Sequence, residues 1–121
     1  MKATDLMIGD KVMVKVLSQI PNTYVLHTWT ANDYSRDIQV KPIPLTAEIL
    51  ENNGFIKVNS QRYDYGYPDT DCYVKVNPKK NMIHVNGRNA NSNLYSHSFV
   101  HELQRALRLC GLNELADNFK V

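Results

Sequence analysis

Ser98-Phe99-Val100-His101-Glu102-Leu103-Gln104-Arg105-Ala106-Leu107-Arg108-Leu109-Cys110 is the stretch that decides the fold class. Phe99, Leu103, Leu107 and Cys110 recur at spacings of four, four and three, the stripe of an amphipathic helix. Val100, Ala106 and Leu109 widen that stripe and leave His101, Gln104, Arg105 and Arg108 to the opposite, polar side. Glu102 falls in the first turn and the two arginines toward the last, as the helix dipole favours. Gly111 ends the helix. A stripe of this kind needs a partner surface, and most of the chain upstream reads as strand and turn. The expectation is an α+β fold with helix packed on sheet.

Working back from the helix, Phe55 to Tyr95 reads as antiparallel hairpins, with strands near 55–58, 61–65, 72–76, 82–85 and 92–96. Turns are expected over Tyr67–Asp71 and Asn77–Asn81, and at Asn86-Gly87, whose residues both tolerate positive φ. Thr46 to Asn53 has the ends of a short central helix. Thr46 is placed to cap it, Leu45 and Leu50 to staple it, and Gly54 to stop it with Phe55 folded back onto Leu50. The amino-terminal half is β-rich. After the Gly9-Asp10 turn, Val12, Val14 and Val16 alternate with Lys11, Met13 and Lys15. Tyr24–Trp29 and Ile38–Val40 supply further strands, Ala31–Asp37 a loop, and Lys41-Pro42-Ile43-Pro44 an extended segment. By analogy alone, such short strands suggest a small SH3-like barrel. Leu112–Val121 reads as a turn or short helix, with a final strand at Phe119–Val121.

A length of 121 residues predicts one domain, 1–121, with a core of its own. Hydrophobic residues at 43% and charged residues at 21% exclude wholesale disorder. A net charge of +2 forces neither a nucleic-acid nor a membrane partner. No apolar run approaches the roughly 20 residues of a membrane helix, and no signal-like segment follows Met1. Two cysteines are too few for a disulfide framework. A cytoplasmic protein without membrane contact is expected; oligomeric state is not legible.

Motifs for chemistry are weak. His101-Glu102 opens like a zinc-protease helix, but Arg105 stands where the second histidine belongs. His97 and His101 have ligand spacing, yet surface pairs four apart are common on any helix. Asp64, Asp69 and Asp71 lack the glycine and distal glutamate of a calcium loop. Cys72 and Cys110 lie on apolar faces, where a thiol stays protonated. No catalytic residue, metal ligand or cofactor is expected.

The functional hint is Arg62-Tyr63-Asp64-Tyr65-Gly66-Tyr67, whose tyrosines would line one strand face. Lys75, Lys79, Lys80 and Arg88 lie in neighbouring predicted strands and turns, and residues 57–88 carry six basic side chains against three acidic ones. The candidate surface is therefore Arg62, Tyr63, Tyr65, Tyr67, Lys75, Lys79, Lys80 and Arg88. Tyrosines among cations suit a protein partner. The alternative is nucleic acid, with bases stacked and phosphates paired; the bland reading is tyrosines packed as part of the sheet. A non-catalytic protein-interaction module is the leading expectation.

Three segments carry a resemblance. Val40-Lys41-Pro42-Ile43-Pro44-Leu45-Thr46-Ala47-Glu48-Ile49-Leu50-Glu51-Asn52-Asn53-Gly54-Phe55, Asp5-Leu6-Met7-Ile8-Gly9-Asp10-Lys11-Val12 and Val100-His101-Glu102-Leu103-Gln104 together cover roughly a quarter of the chain. They resemble segments of a family of short proteins from Bacteroidetes genomes and their mobile elements, to which no activity is assigned. The resemblance implies a bacterial or phage-borne cytoplasmic protein and carries over no site residue.

Overall fold

The computed structural model describes residues 5–16, 23–35, 38–66, 73–87, 90–95 and 98–121. The fold is α+β, and the described residues build two antiparallel sheets and three short α-helices. Strands β1 (Lys11–Val16), β2 (Val25–Thr28) and β3 (Ile38–Lys41) form a row in the order β2-β1-β3. Among the described residues these strands lie side by side and close no barrel, so the SH3-like analogy gains no support. The valine alternation sends Val12 and Val14 inward onto Leu6 and Trp29, with Ile38 and Val40 packed beside them. Register fixes this face, since Val14 opposes Val40 on one side and Val25 on the other.

Helix α1 (Ala47–Asn52) has the expected ends. The Thr46 hydroxyl accepts the Ile49 N–H at 3.2 Å, Gly54 adopts φ +87°, and the Phe55 N–H returns to the Leu50 carbonyl at 3.0 Å. Strands β4 (Ile56–Lys57), β5 (Tyr63–Gly66), β6 (Tyr73–Asn77), β7 (Met82–Gly87) and β8 (Ala90–Tyr95) then follow one another across the second sheet. Tyr63, Val76 and Ile83 form one cross-strand row and Tyr65, Val74 and Val85 the next. Both rows face α2 (Val100–Leu109) and α3 (Asn113–Asp117), where Val100, Leu103, Ala106, Leu107, Cys110, Ala116 and Phe119 complete the core.

Three expectations are corrected. Asn86 and Gly87 belong to the ladder rather than to a turn, because Asn86 opposes Tyr73 on one side and Asn91 on the other, and Gly87 pairs with Ala90. No strand forms at Phe119–Val121. Phe119 is used as a core side chain, and the Asn53 side chain takes the backbone of Lys120, accepting its N–H and donating to its carbonyl, both at 2.8 Å. The side of α2 read as polar is largely buried, because the amino-terminal segment lies against it. Gln104, fully buried, accepts the Lys11 N–H at 2.8 Å and donates to the carbonyls of Gly9 at 3.0 Å and Ala116 at 2.9 Å. One side-chain amide thus ties β1, α2 and α3 together, and satisfies three backbone groups that would be costly to bury alone.

Helix α2 is the joint of the molecule. Its start is held by the segment after β3: Val100 N–H donates to the Ile43 carbonyl and Leu45 N–H to the Ser98 carbonyl, each at 2.8 Å. Glu102 accepts the Phe99 N–H at 3.1 Å and so caps the first turn. The segments around Ile43–Leu45 and Gly9–Lys11 therefore meet at α2. No described helix is long and apolar enough to cross a membrane.

Candidate interaction surfaces

The sequence-nominated surface is divided by the sheet. Tyr63 is only 6% exposed and Tyr65 lies against Phe55 with ring centroids 5.4 Å apart, so both belong to the core side. This corrects the expectation of an outward tyrosine face. The cause is period two: Tyr63 and Tyr65 share a face with Val74 and Val76, which α2 covers. Arg62 and Lys75 do reach the outer face. Arg62 forms a two-pronged pair with Asp64, each contact 3.1 Å, and the Lys75 ammonium lies 5.2 Å from the Tyr73 ring centroid. Asp64, Lys75 and His84 stand in one cross-strand row, so that face mixes both signs of charge. Lys79 and Lys80 are exposed in a 3₁₀ turn, Pro78–Lys80, which the Asn77 side chain caps at 3.3 Å. Tyr67 and Arg88 lie outside the described residues, as do His97, Cys72, Asp69 and Asp71.

The candidates for chemistry are bound into packing. The Cys110 thiol is buried, 3.7 Å from the Tyr73 carbonyl. His101 is buried and stacked on Phe99 at 5.9 Å, its Nδ1 without a hydrogen-bond partner among the described residues. Burial pushes its pKa below the ordinary imidazole value, and the Arg105 charge adds to this against the opposing pull of Asp10, Glu102 and Asp5. Asp10, also fully buried, accepts the Met7 N–H at 2.8 Å and pairs with Arg108 at 3.0 Å and Arg105 at 3.4 Å. The two arginines that the sequence left on a polar helix face thus hold the Gly9-Asp10 turn. Among the described residues, no three His, Cys, Asp or Glu side chains are gathered to hold a metal.

A second surface was missed in the sequence. On the face of the three-stranded sheet opposite Val12 and Val14 stand Lys11, Met13 and Lys15 from β1, Leu26 and Thr28 from β2, and Gln39 and Lys41 from β3. Tyr24 lies back over this face, its hydroxyl 3.4 Å from Gln39 Oε1. The ammonium groups of Lys15 and Lys41 sit 5.1 and 5.7 Å from the Tyr24 ring centroid, and that of Lys11 donates to the Thr28 hydroxyl at 2.5 Å. No carboxylate occupies any of these positions. Beside them β2 exposes Leu26 to 50%, and on the opposite face Val25 to 54%. The signal was present in the Lys-Met-Lys alternation, but only the strand order joins it to Tyr24 and Lys41. No protein-family model, curated protein or solved structure matches the chain.

Proposed function

We propose that the protein is a non-catalytic module that binds a protein partner through its three-stranded sheet. The observation that carries this reading is β2, an end strand whose half-exposed Leu26 stands on the face of three lysines, with half-exposed Val25 on the other face. Apolar centre with charged surround is the usual composition of a protein-binding patch. The five-stranded sheet serves as the scaffold: its apolar face is filled by helices, and the described residues of its outer face carry both signs of charge. Burial of Cys110 and His101 in packing supports a structural rather than a catalytic use of both. A cytoplasmic, bacterial or phage-borne setting goes with the reading through the family resemblance.

Nucleic acid is the second reading, favoured by Lys11, Lys15 and Lys41 on one face. Against it, two ammonium groups already lie over the Tyr24 ring, where a base would stack. The test is co-purification with the tagged full chain, run in parallel with a Leu26→Asp variant. Proteins retained by the wild type and lost by the variant are expected, and an unchanged set counts against the reading. Fluorescence anisotropy with single- and double-stranded oligonucleotides, at low and near-physiological salt, separates the alternative. Saturable binding with a steep salt slope, abolished by Lys11→Glu and Lys41→Glu, would move the assignment to nucleic acid.

A further inference from the structure

We infer that the partner docks as an acidic extended segment, adding a fourth strand to the outer edge of β2; this rests on the protein-binding reading above. The backbone sets the geometry. Trp29 donates its N–H to the Asp10 carbonyl at 2.8 Å, so that amide points toward β1. Alternation along an antiparallel strand then turns Val25 and His27 inward and the N–H and C=O of Leu26 and Thr28 outward. β2 ends the sheet, and among the described residues no strand pairs with that edge.

An incoming strand would lie about 4.8 Å from β2, its side chains alternating between the two faces. On one face they meet Leu26, with the Lys11 ammonium already drawn to Thr28 and Lys15 and Lys41 gathered at Tyr24. On the other they meet half-exposed Val25. The segment that fits has acidic residues at alternate positions and apolar residues between them. Lysines beside an edge strand also discourage pairing between copies of one chain. Here a second copy would bring the same three cations and be repelled, whereas an acidic strand gains from each of them.

The experiment titrates the ¹⁵N-labelled full chain with a synthetic peptide of about nine residues, enough for an ordinary strand, alternating Glu with Val and Thr. A counterpart with Lys in place of Glu and an oligo-dT strand are the controls. The Glu peptide should shift the amides of Leu26 and Thr28 and slow their hydrogen exchange about tenfold or more at saturation. The Lys11→Glu, Lys15→Glu double variant should bind about tenfold more weakly or worse. Leu26→Pro, which removes an outward N–H at an edge position, should also lose binding. Trp29 fluorescence reports whether each variant keeps its fold. No saturable binding of the Glu peptide, shifts confined to other elements, or equal binding of the Lys peptide overturns the inference. So does oligo-dT acting on the same amides while the Glu peptide is silent. If Leu26→Asp loses its protein partners but the Glu peptide stays silent, strand addition is refuted and the module reading stands. If Leu26→Asp keeps every partner, both fall.

Discussion

The five-stranded and three-stranded sheets follow the same alternation, yet their apolar faces are completed differently. The larger sheet has its inner face filled by Leu50, Phe55 and two helices, in a cluster of sixteen buried residues from Ile43 to Phe119. Among the described residues the smaller sheet's cluster buries Leu6, Val12, Val14 and Trp29 and leaves Val25 and Leu26 half exposed. Its strands are as regular in register, so strand quality does not separate the two. What separates them is cover. A sheet packed by helices becomes scaffold, while a sheet with its own small cluster, joined to the larger one through Met13, keeps the β2 edge for other uses.

Four measurements test that contrast, and the largest effect belongs to the joint between the sheets. Leu103→Ala opens a cavity in the main cluster and should cost about 3–5 kcal/mol in denaturant unfolding. A loss below about 1 kcal/mol would mean the helix is not the centre of the core. Gln104→Leu keeps the bulk but orphans the Lys11 N–H and the Gly9 and Ala116 carbonyls, for an expected loss of about 2–3 kcal/mol. Amide exchange should rise first in β1 and β2 while β6 and β7 stay protected. Uniform loss in both sheets would erase the distinction drawn here.

Acid should reach the smaller sheet through Asp33. Burial alone would raise this carboxyl, but hydrogen bonds from His27 at 2.6 Å, and from the Thr30 N–H and hydroxyl at 2.8 and 2.9 Å, outweigh it and hold the pKa at about 2. A folded value below the ordinary carboxyl value of 3.8 stabilises the protein above pH 3.8, and that contribution is lost as pH falls through about 2. It amounts to about 2 kcal/mol, and the emission of Trp29, edge-on to Tyr34 at 5.5 Å, should report its loss. Asp33→Asn should remove the acid transition in that window; its persistence would assign it to another group. Smallest of all, Ile56→Ser on the exposed end strand of the larger sheet should change stability by less than about 0.5 kcal/mol.

The sequence was most informative where chemistry is local. The Thr46 cap, the Gly54 stop and the Lys11–Val16 alternation each depend on neighbours within a few residues, and each is found where expected. Tertiary facts were not legible in the same way. Nothing in the order of residues says that Gln104 will sit between Gly9 and Lys11, or that Asp10 will meet two arginines more than ninety positions away. A polar residue on a helix looks solvated until a second surface is known to cover it. For the same reason Tyr63 and Tyr65 read equally well as recognition or packing, and the helix over their strand decided for packing. The lysine face was half legible, since its β1 part alternates visibly and its β2 and β3 parts require the strand order.

The Gln104 amide also imposes a timetable. Its bonds to Gly9 and Lys11 span 95 and 93 residues, and the Val100–Ile43 backbone bond spans more than fifty. Contacts this far apart cannot close before α2 leaves the ribosome, and they slow folding through the loops they must seal. The three-stranded sheet is synthesised first and anchored last. During that interval its apolar edge is open to chaperones, to other nascent chains and to any partner able to recognise it before the rest of the protein exists.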